Sequence, residues 1–521
     1  MRRGNLRAWA FYRYPDRTAY IFGDREISFR EMIARSGRLC NGLLSIGLRQ
    51  GHKAAVLLNN SVETLDCQGG IGRVGLTVVP LNPRHSSQEH AYVLNNSEID
   101  AVILSADFLD LISPILPSAE KVKHVIVIGA RGGEPEGMIP YEKLIEGQPE
   151  TAPVLETDDD QIDRIQYTSG TTGRPKGAVS TAQITYSRMI NILINLDLPI
   201  LPSDINLVVG PLAHAAGVMN GIYNIRGATN IIMSGFDEEE ILKTIEREHV
   251  TSILLVPTML IRLLMVPNLT SYDLSSLKRI WYGTAPMPKE RLKQAIEIFG
   301  NIFRQNYGMT EAPQPITYLG PEDHIIKGTE EEVRRLASAG RPALGVNLRI
   351  FKEDDTPIQT GEMGEIQIQG PQLMKEYWKM PEATADAFRE GWFHTGDMGT
   401  LDEEGYVFIL DRKQDMIISG GFNIYPREVE DVLMAHPWVA EAAVIGIPDD
   451  VWGESVKAFV VPKEGFTISA EELIQFCRDN IASYKKPKSV DFVQDLPKNT
   501  YGKVVRKDLK APYWKGLDRR V

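Results

Sequence analysis

Cysteine is scarce in this chain: Cys40, Cys67 and Cys477 are the only three in 521 residues. Thiols that are few, far apart and odd in number can build neither a disulfide framework nor a cysteine metal cluster, so a reducing, cytoplasmic compartment is expected. Basic residues do not dominate either. With 57 Lys+Arg against 69 Asp+Glu the net charge is -12, which offers no broad basic face to a phosphodiester backbone and disfavours a nucleic-acid partner. The 9 histidines are scattered and form no H-E-x-x-H pattern, so zinc has no support. The charge-free stretch from Ile205 to Ile225 is of membrane length, yet it holds Asn206, Gly210, Pro211, His214, Asn220 and Asn224, polar groups and breakers that hydrocarbon does not tolerate, and no integral membrane segment is expected. At the basic N-terminus, charges return before an apolar signal-peptide core can form, so mature sequence is expected there. Internal repeats and low-complexity runs are also missing.

The chain is 43% hydrophobic and 24% charged, with 44 Gly and 31 Pro, an ordinary folded composition large enough for several structural units. From Lys53 to Gly129 buried strands (AAVLL, LTVVPLN, AVILS, HVIVIG) alternate with helical patterns after Ser61 and Ser86, and the rhythm resumes after Asp160 with INLVVGPL, NIIMS, SILLVP, RIWYG and NIFRQNYG. That is βαβ organisation. Residues of about 337–411 change to short segments between Gly, Asp and Pro turns, a small β-rich subdomain. The last 110 or so residues alternate again. The expected fold class is α/β: a large N-terminal region at 1–411 that includes the β-rich part, then a small, mobile α+β C-terminal domain at 412–521, with a hinge near 411–415.

The strongest chemical signal is Tyr167-Thr-Ser-Gly-Thr-Thr-Gly-Arg-Pro-Lys-Gly-Ala-Val179, with four hydroxyls, three glycines and a lysine from Thr168 to Gly177. Glycines let backbone N–H groups turn toward a ligand, hydroxyls add donors and Lys176 adds a point charge, which together make a phosphate cradle. It lacks Walker spacing. A flexible Ser/Gly linker is the bland alternative, but linkers rarely end in Pro-Lys-Gly beside a strand. Gly70-Ile-Gly72-Arg-Val-Gly75 matches G-x-G-x-x-G, yet these glycines close a helix instead of opening one, so a dinucleotide site and an NAD-dependent oxidoreductase rank last.

Residues 167–179 resemble the signature loop of the AMP-forming adenylating superfamily, which includes acyl-CoA synthetases, aryl-CoA ligases, peptide-synthetase adenylation domains and luciferases. Further matches follow in the family's order: Tyr282-Gly-Thr-Ala-Pro286, Tyr307-Gly-Met-Thr-Glu311, His394-Thr-Gly-Asp397, Asp411 to Glu430, and Pro497-Lys-Asn-Thr-Tyr-Gly-Lys503. The resemblance spans nearly the whole chain. It implies that Thr168, Ser169, Gly170, Thr171, Thr172, Gly173 and Lys176 hold the β and γ phosphates of ATP, that Thr310 donates to the α-phosphate, and that Glu311 holds Mg²⁺, a hard cation suited to a carboxylate. Tyr307 and the backbone of Gly283, Thr284 and Ala285 would flank adenine. Asp397 would accept the ribose hydroxyls with help from Arg412. Lys503, alone an ordinary surface lysine, matches the catalytic lysine that bridges the carboxylate and α-phosphate oxygens.

For the acceptor, the resemblance points to coenzyme A. Gly421 would leave room for pantetheine, with Arg84, Trp452, Lys486 and Lys488 as candidates for the CoA nucleotide and His214 as the gate between acyl pocket and tunnel. The pivot falls on Gln414, where the family usually carries Asp or Lys. Walls of the acyl pocket are expected around Tyr223 to Gly227, Trp281 to Thr284 and Gln305 to Met309. No Lys or Arg is clearly placed for a second carboxylate, which favours a monocarboxylic fatty or aryl acid. The expected activity is ATP-dependent acyl-CoA synthesis through an acyl-AMP. Transfer to a carrier-protein thiol is the near alternative, and a nucleotide-binding regulator that has lost chemistry is opposed by Lys176, Glu311, Asp397 and Lys503 occurring together. The expected partners are a carboxylic acid, ATP and CoA, and a homodimer is kept as a candidate assembly.

Overall fold

A computed structural model describes residues 8–83, 85–129, 136–154, 158–168, 175–213, 215–352, 356–412, 415–420, 422–498 and 503–515. Four sheets organise them. In the first, nine strands carry a parallel core in which Thr18–Phe22, Thr229–Ile232, Ile205–Val208, Ser252–Leu255, Arg279–Gly283 and Phe303–Tyr307 lie side by side. Alternate residues of a strand face opposite ways. Ile253, Leu255, Ile280, Tyr282 and Phe303 pack against helices Glu238–Glu248, Pro257–Leu264 and Lys289–Phe299. Leu254 and Trp281 turn to the other face, toward helices Ala182–Ile194 and Ala215–Ile225. Burial on both faces explains the near-continuous apolar strands read in the sequence.

The second sheet has seven strands, parallel except for the last pair, Ile162–Thr168 and Lys176–Thr181, which form an antiparallel hairpin. Helix Phe29–Ser45 covers one face together with Val62–Val74, and Ser87–Asn96 covers the other. Phe29 and Met32 also pack with Val208, Leu212 and Ile232, so the first of these helices ties the two large sheets together. Two glycines of the G-x-G-x-x-G match serve this packing and the end of the helix, while Gly72 faces open space. A Cβ on Gly70 would stand 2.9 Å from the Leu39 side chain, while Gly75 caps the helix in the left-handed region at φ 75°.

The third sheet is antiparallel and small, built from Asn347–Phe351, Gly364–Gln369, Phe388–Arg389, Trp392–Leu401 and Val407–Arg412. The fourth begins at Ile417–Ser419 and adds Phe422–Ile424, Val439–Asp449, Gly453–Pro462 and Ser489–Phe492, with helices Pro426–Ala435 and Ala470–Asn480 on its core. All three cysteines are buried and free. Among the described residues no helix is long and apolar enough to cross a membrane.

Candidate functional site

Parallel strands present their carboxyl ends at one edge of a sheet, and loops leaving that edge are where ligands bind in open α/β folds. Strand Arg279–Gly283 leaves it into Thr284 and Ala285, and its neighbour Phe303–Tyr307 into Gly308 to Glu311. Gly283 and Asn306 are register partners, and a Cβ on Gly283 would meet the Asn306 carbonyl oxygen at 2.3 Å, so only glycine permits this approach. Thr284 is held at φ 67°. A β-branched residue in the left-handed region costs about 1–3 kcal/mol, and such strain concentrates at ligand sites.

Asp397 lies on the long strand Trp392–Leu401, opposite Arg412 in register. The strand shifts register against Gly364–Gln369 between Glu365 and Gln367, and Glu365 fills the irregularity: its Oε1 accepts from Gly396 N at 3.0 Å and its Oε2 lies 3.1 Å from His394 Nδ1. Thr395 Oγ1 donates to Ile366 O and accepts from Asp397 N. The bulge therefore aims a buried Asp397 at two partners: Tyr307 Oη donates to its Oδ2 at 2.5 Å, and Arg412 Nε stands 3.3 Å from its Oδ1. Burial and the adjacent carboxylate push the Tyr307 phenol far above its ordinary pKa, so it remains a donor.

Glu311 is held differently. Tyr377 Oη donates to its Oε1 at 3.0 Å, and the Glu311 carbonyl accepts from Met374 N. The Tyr377 ring also lies 5.1 Å below the Lys176 ammonium, cation–π range. The segment around Tyr377 runs alongside the hairpin strand: Trp378 N donates to Gly177 O, Val179 N to Glu376 O and Lys375 N to Val179 O. One tyrosine thus links the lysine of the phosphate hairpin to the carboxylate of the neighbouring loop. Thr168 and Lys176 are register partners at the base of that hairpin, and Thr168 Oγ1 reaches Lys176 O at 3.4 Å.

Lys503 approaches from the C-terminal part. The residue is exposed, yet enough protein surrounds its ammonium that burial, then the charge of Arg412, pushes its pKa down to about 8; Arg506 adds to this, while Asp397 and Asp415 oppose it. Beneath it Arg506 is anchored to Glu430 at 2.7 Å and lies 3.8 Å from both Asp411 and Asp415. Asp411 accepts from Arg412 N and from Arg427 N, at the start of helix Pro426–Ala435. The end of strand Val407–Arg412, where the expected hinge begins, is therefore tied to the fourth sheet's first helix.

Of the CoA candidates, Trp452 is 49% exposed and packs over Gly420, whose Cβ would meet its ring at 2.5 Å. Lys488 lies 5.0 Å above that ring and 3.3 Å from Asp449. Phe422 and Tyr484 are also exposed, with ring centroids 4.7 Å apart, and Lys486 is half-buried in the same run. The result is an open aromatic and basic surface.

The fold thus brings Tyr307, Asp397, Arg412 and Lys503 together and joins Lys176 to Glu311, near Thr310, through Tyr377, with Arg412 close enough to Glu311 for their charges to interact. Arg84, Ser169, Gly170, Thr171, Thr172, Gly173, His214, Gln414 and Gly421 lie outside the described residues. Sequence reading missed Tyr377 and Glu365. Neither stands in a motif, and only their placement beside Glu311 and Gly396 distinguishes them.

The chain matches the model of the AMP-binding enzyme family over residues 6–378 and that of the AMP-binding enzyme C-terminal domain over 428–503. Among curated relatives, the medium/long-chain-fatty-acid–CoA ligase FadD8 of Mycobacterium tuberculosis is 34% identical over 532 residues, covering 99% of this chain and 91% of its own length. Feruloyl-CoA synthase of an Amycolatopsis species is 36% identical over 518 residues, covering 98% and 100%. Among solved structures, the anthranilate CoA ligase AuaEII in complex with anthranoyl-AMP superimposes with a TM-score of 0.89 at 27% identity, covering 98% of this chain and 97% of that one. With the motifs in order, the two family models across most of the chain and relatives matched end to end, the protein belongs to the AMP-binding enzyme family and is a ligase of the AMP-forming adenylating superfamily.

Proposed function

We propose that the protein joins a carboxylic acid to coenzyme A at the expense of ATP, in two half-reactions. In the first, a carboxylate oxygen attacks the α-phosphorus and pyrophosphate departs. In the second, the CoA sulfur attacks the acyl carbon, the thiol gives up its proton and AMP departs. The observation that carries this reading is the convergence of Asp397, Arg412, Tyr307 and Lys503 beside the linked pair Glu311 and Lys176, in a chain whose matched relatives are named as CoA ligases.

Bringing a carboxylate to a polyphosphate requires cations and donors where charge develops. In this proposal Lys503 bridges the attacking carboxylate and the α-phosphate, Thr310 donates to that phosphate, and Lys176 with Thr168 to Gly173 holds the departing pyrophosphate. Asp397 accepts from the ribose, Arg412 steadies Asp397, and the strained Gly283 to Ala285 turn meets adenine with Tyr307. Among the described residues no group of three His, Cys, Asp or Glu could cage a metal ion. A single carboxylate, Glu311, fits Mg²⁺, which keeps water and takes phosphate oxygens as ligands; when bound it neutralises phosphate charge. The C-terminal part, 412–521, would turn about 411–415 between half-reactions, bringing Trp452, Lys486, Lys488 and Gly421 to CoA, with Arg84 and His214 on the larger part.

The test is a panel of short, medium, long-chain and aromatic acids assayed for AMP release with and without CoA. CoA-dependent release of AMP with formation of the thioester is expected. Turnover without CoA would instead favour a carrier-protein thiol as acceptor.

A further inference from the structure

Resting on the ligase reading, the floor of the acyl pocket carries a further assignment. Strand register sets the geometry. Ser252 pairs with Arg279, Leu254 with Trp281, Trp281 with Arg304 and Gly283 with Asn306, so Ser252, Arg279, Trp281, Gly283 and Asn306 all point to the sheet face that helix Ala215–Ile225 covers. With about 3.3 Å of rise per residue, Trp281 lies roughly 7 Å below Gly283, and Arg279 and Ser252 roughly 13 Å below it. An acid whose carboxylate reacts beside Gly283 and Ala285 would send its body down this face.

That face is apolar at its sides, with Met219, Ile222, Ile192 and Leu254, but not at its floor. Tyr223 Oη, Ser252 Oγ and Trp281 Nε1 are all buried without a hydrogen-bond partner, in residues 0%, 0% and 3% exposed. The Tyr223 hydroxyl lies close enough to Ser252 and Trp281 to interact with both, but none of the three reaches good hydrogen-bonding geometry. Burial keeps the phenol neutral by pushing its pKa up, so it can donate or accept. Buried polar atoms are nearly always paired, and leaving one unpaired is costly. Arg279, the cation at this depth, is charge-paired with Asp204 at 3.2 Å and donates to Pro199 O at 2.7 Å, so the floor carries no uncompensated charge, while the Arg279 Nε adds one more buried donor without a partner.

We propose that Tyr223, Ser252 and Trp281 form a polar floor that recognises a neutral hydrogen-bonding group at the far end of the acid, so that the substrate is a compact monocarboxylic acid ending in a phenol-type hydroxyl or carbonyl rather than an unfunctionalised alkyl chain.

The experiment measures adenylation by pyrophosphate exchange, without CoA, for a 4-hydroxyaryl acid, its deoxy counterpart and a straight-chain acid of equal length, in the wild type and in Tyr223→Phe and Ser252→Ala. The wild type is expected to prefer the hydroxylated acid by on the order of tenfold in kcat/KM. Tyr223→Phe should erase most of that preference by weakening only the hydroxylated acid, and its Tm should hold or rise, because an orphan buried hydroxyl is removed. Ser252→Ala should act in the same direction with less packing change. Equal use of the three acids by the wild type would overturn the assignment, as would a variant that lowers all three in proportion or loses stability; the orphan atoms would then face water or one another only. Pyrophosphate exchange is independent of the acceptor, so CoA-independent turnover would sink the CoA reading and leave this result standing.

Discussion

Two carboxylates of the candidate site each receive a tyrosine hydroxyl, and little else about them is alike. Asp397 is buried on a bulged strand, set by Glu365, paired with Arg412 and bonded to Tyr307. Its charge is matched before any ligand arrives, which suits an acceptor for neutral ribose hydroxyls. Glu311 lies in a loop, has Tyr377 as its hydrogen-bonding neighbour, and feels the Arg412 charge without an ion pair to it among the described residues. A carboxylate oriented but only partly neutralised suits a hard cation. The difference teaches that one side of the site is built to recognise and the other to concentrate charge, and substitutions on the two sides should therefore fail differently.

The largest effect is expected where the two sides meet. Lys503→Ala removes the cation that approaches Asp397 and Arg412 from the C-terminal part, and adenylation should fall by roughly 10²-fold or more, as for other positioned charge stabilisers. Thioester formation from supplied acyl-AMP should be nearly spared. Pyrophosphate exchange and thiol consumption report the two steps separately, and equal losses would show that Lys503 serves both or neither.

Next, Asp397→Ala should weaken ATP by about 10- to 150-fold, since a hydrogen bond to a charged group is worth roughly 1.5–3 kcal/mol. The Mg²⁺ requirement should stay where it was. Titration of ATP at saturating and at limiting Mg²⁺ checks this, and an altered Mg²⁺ dependence would mean that the recognition side and the charge side are not separate.

A third effect comes with pH. Lys503 carries its proton below about 8, so if the charge acts, kcat/KM for adenylation should be level below that pH and fall about tenfold per unit above it, reporting the free enzyme. Lys503→Arg should flatten the alkaline limb, because a guanidinium stays charged. A limb that persists in the variant belongs to another group.

Much of this was legible in the chain. The parallel strands announced themselves because burial on both faces makes runs such as SILLVP and RIWYG almost wholly apolar, and the helix stop at Gly75 separated a packing glycine from a nucleotide motif. Asp397, Arg412 and Lys503 stood out because their motifs are contiguous. Tyr377 and Glu365 did not, since each acts through a partner distant in sequence, Glu311 in one case and a strand irregularity beside Gly396 in the other. The polar floor was half legible: Tyr223 and Trp281 were expected as pocket walls, but the orphan state of their polar atoms follows from register between strands, which no single segment encodes.

The smallest expected effect is also the one that separates the two sides most sharply. Tyr377→Phe deletes the hydroxyl that orients Glu311 but keeps the ring under Lys176. The half-saturating Mg²⁺ concentration should rise about three- to tenfold, in line with the loss of one hydrogen bond, while the KM for ATP at saturating Mg²⁺ should not move. Tyr377→Leu also removes the ring, and with it a cation–π contact worth about 0.5–1 kcal/mol, so here the KM for ATP should rise a further few-fold. Tyr307→Phe should show the opposite split, a higher KM for ATP with an unchanged Mg²⁺ requirement, because its hydroxyl serves Asp397. Binding of ATP followed calorimetrically with Mg²⁺ or with a chelator gives the same comparison without turnover. If Tyr377→Phe shifts the affinity for ATP in the presence of chelator and leaves the Mg²⁺ dependence alone, Tyr377 acts through Lys176 only, and the asymmetry between Glu311 and Asp397 does not divide the site as described.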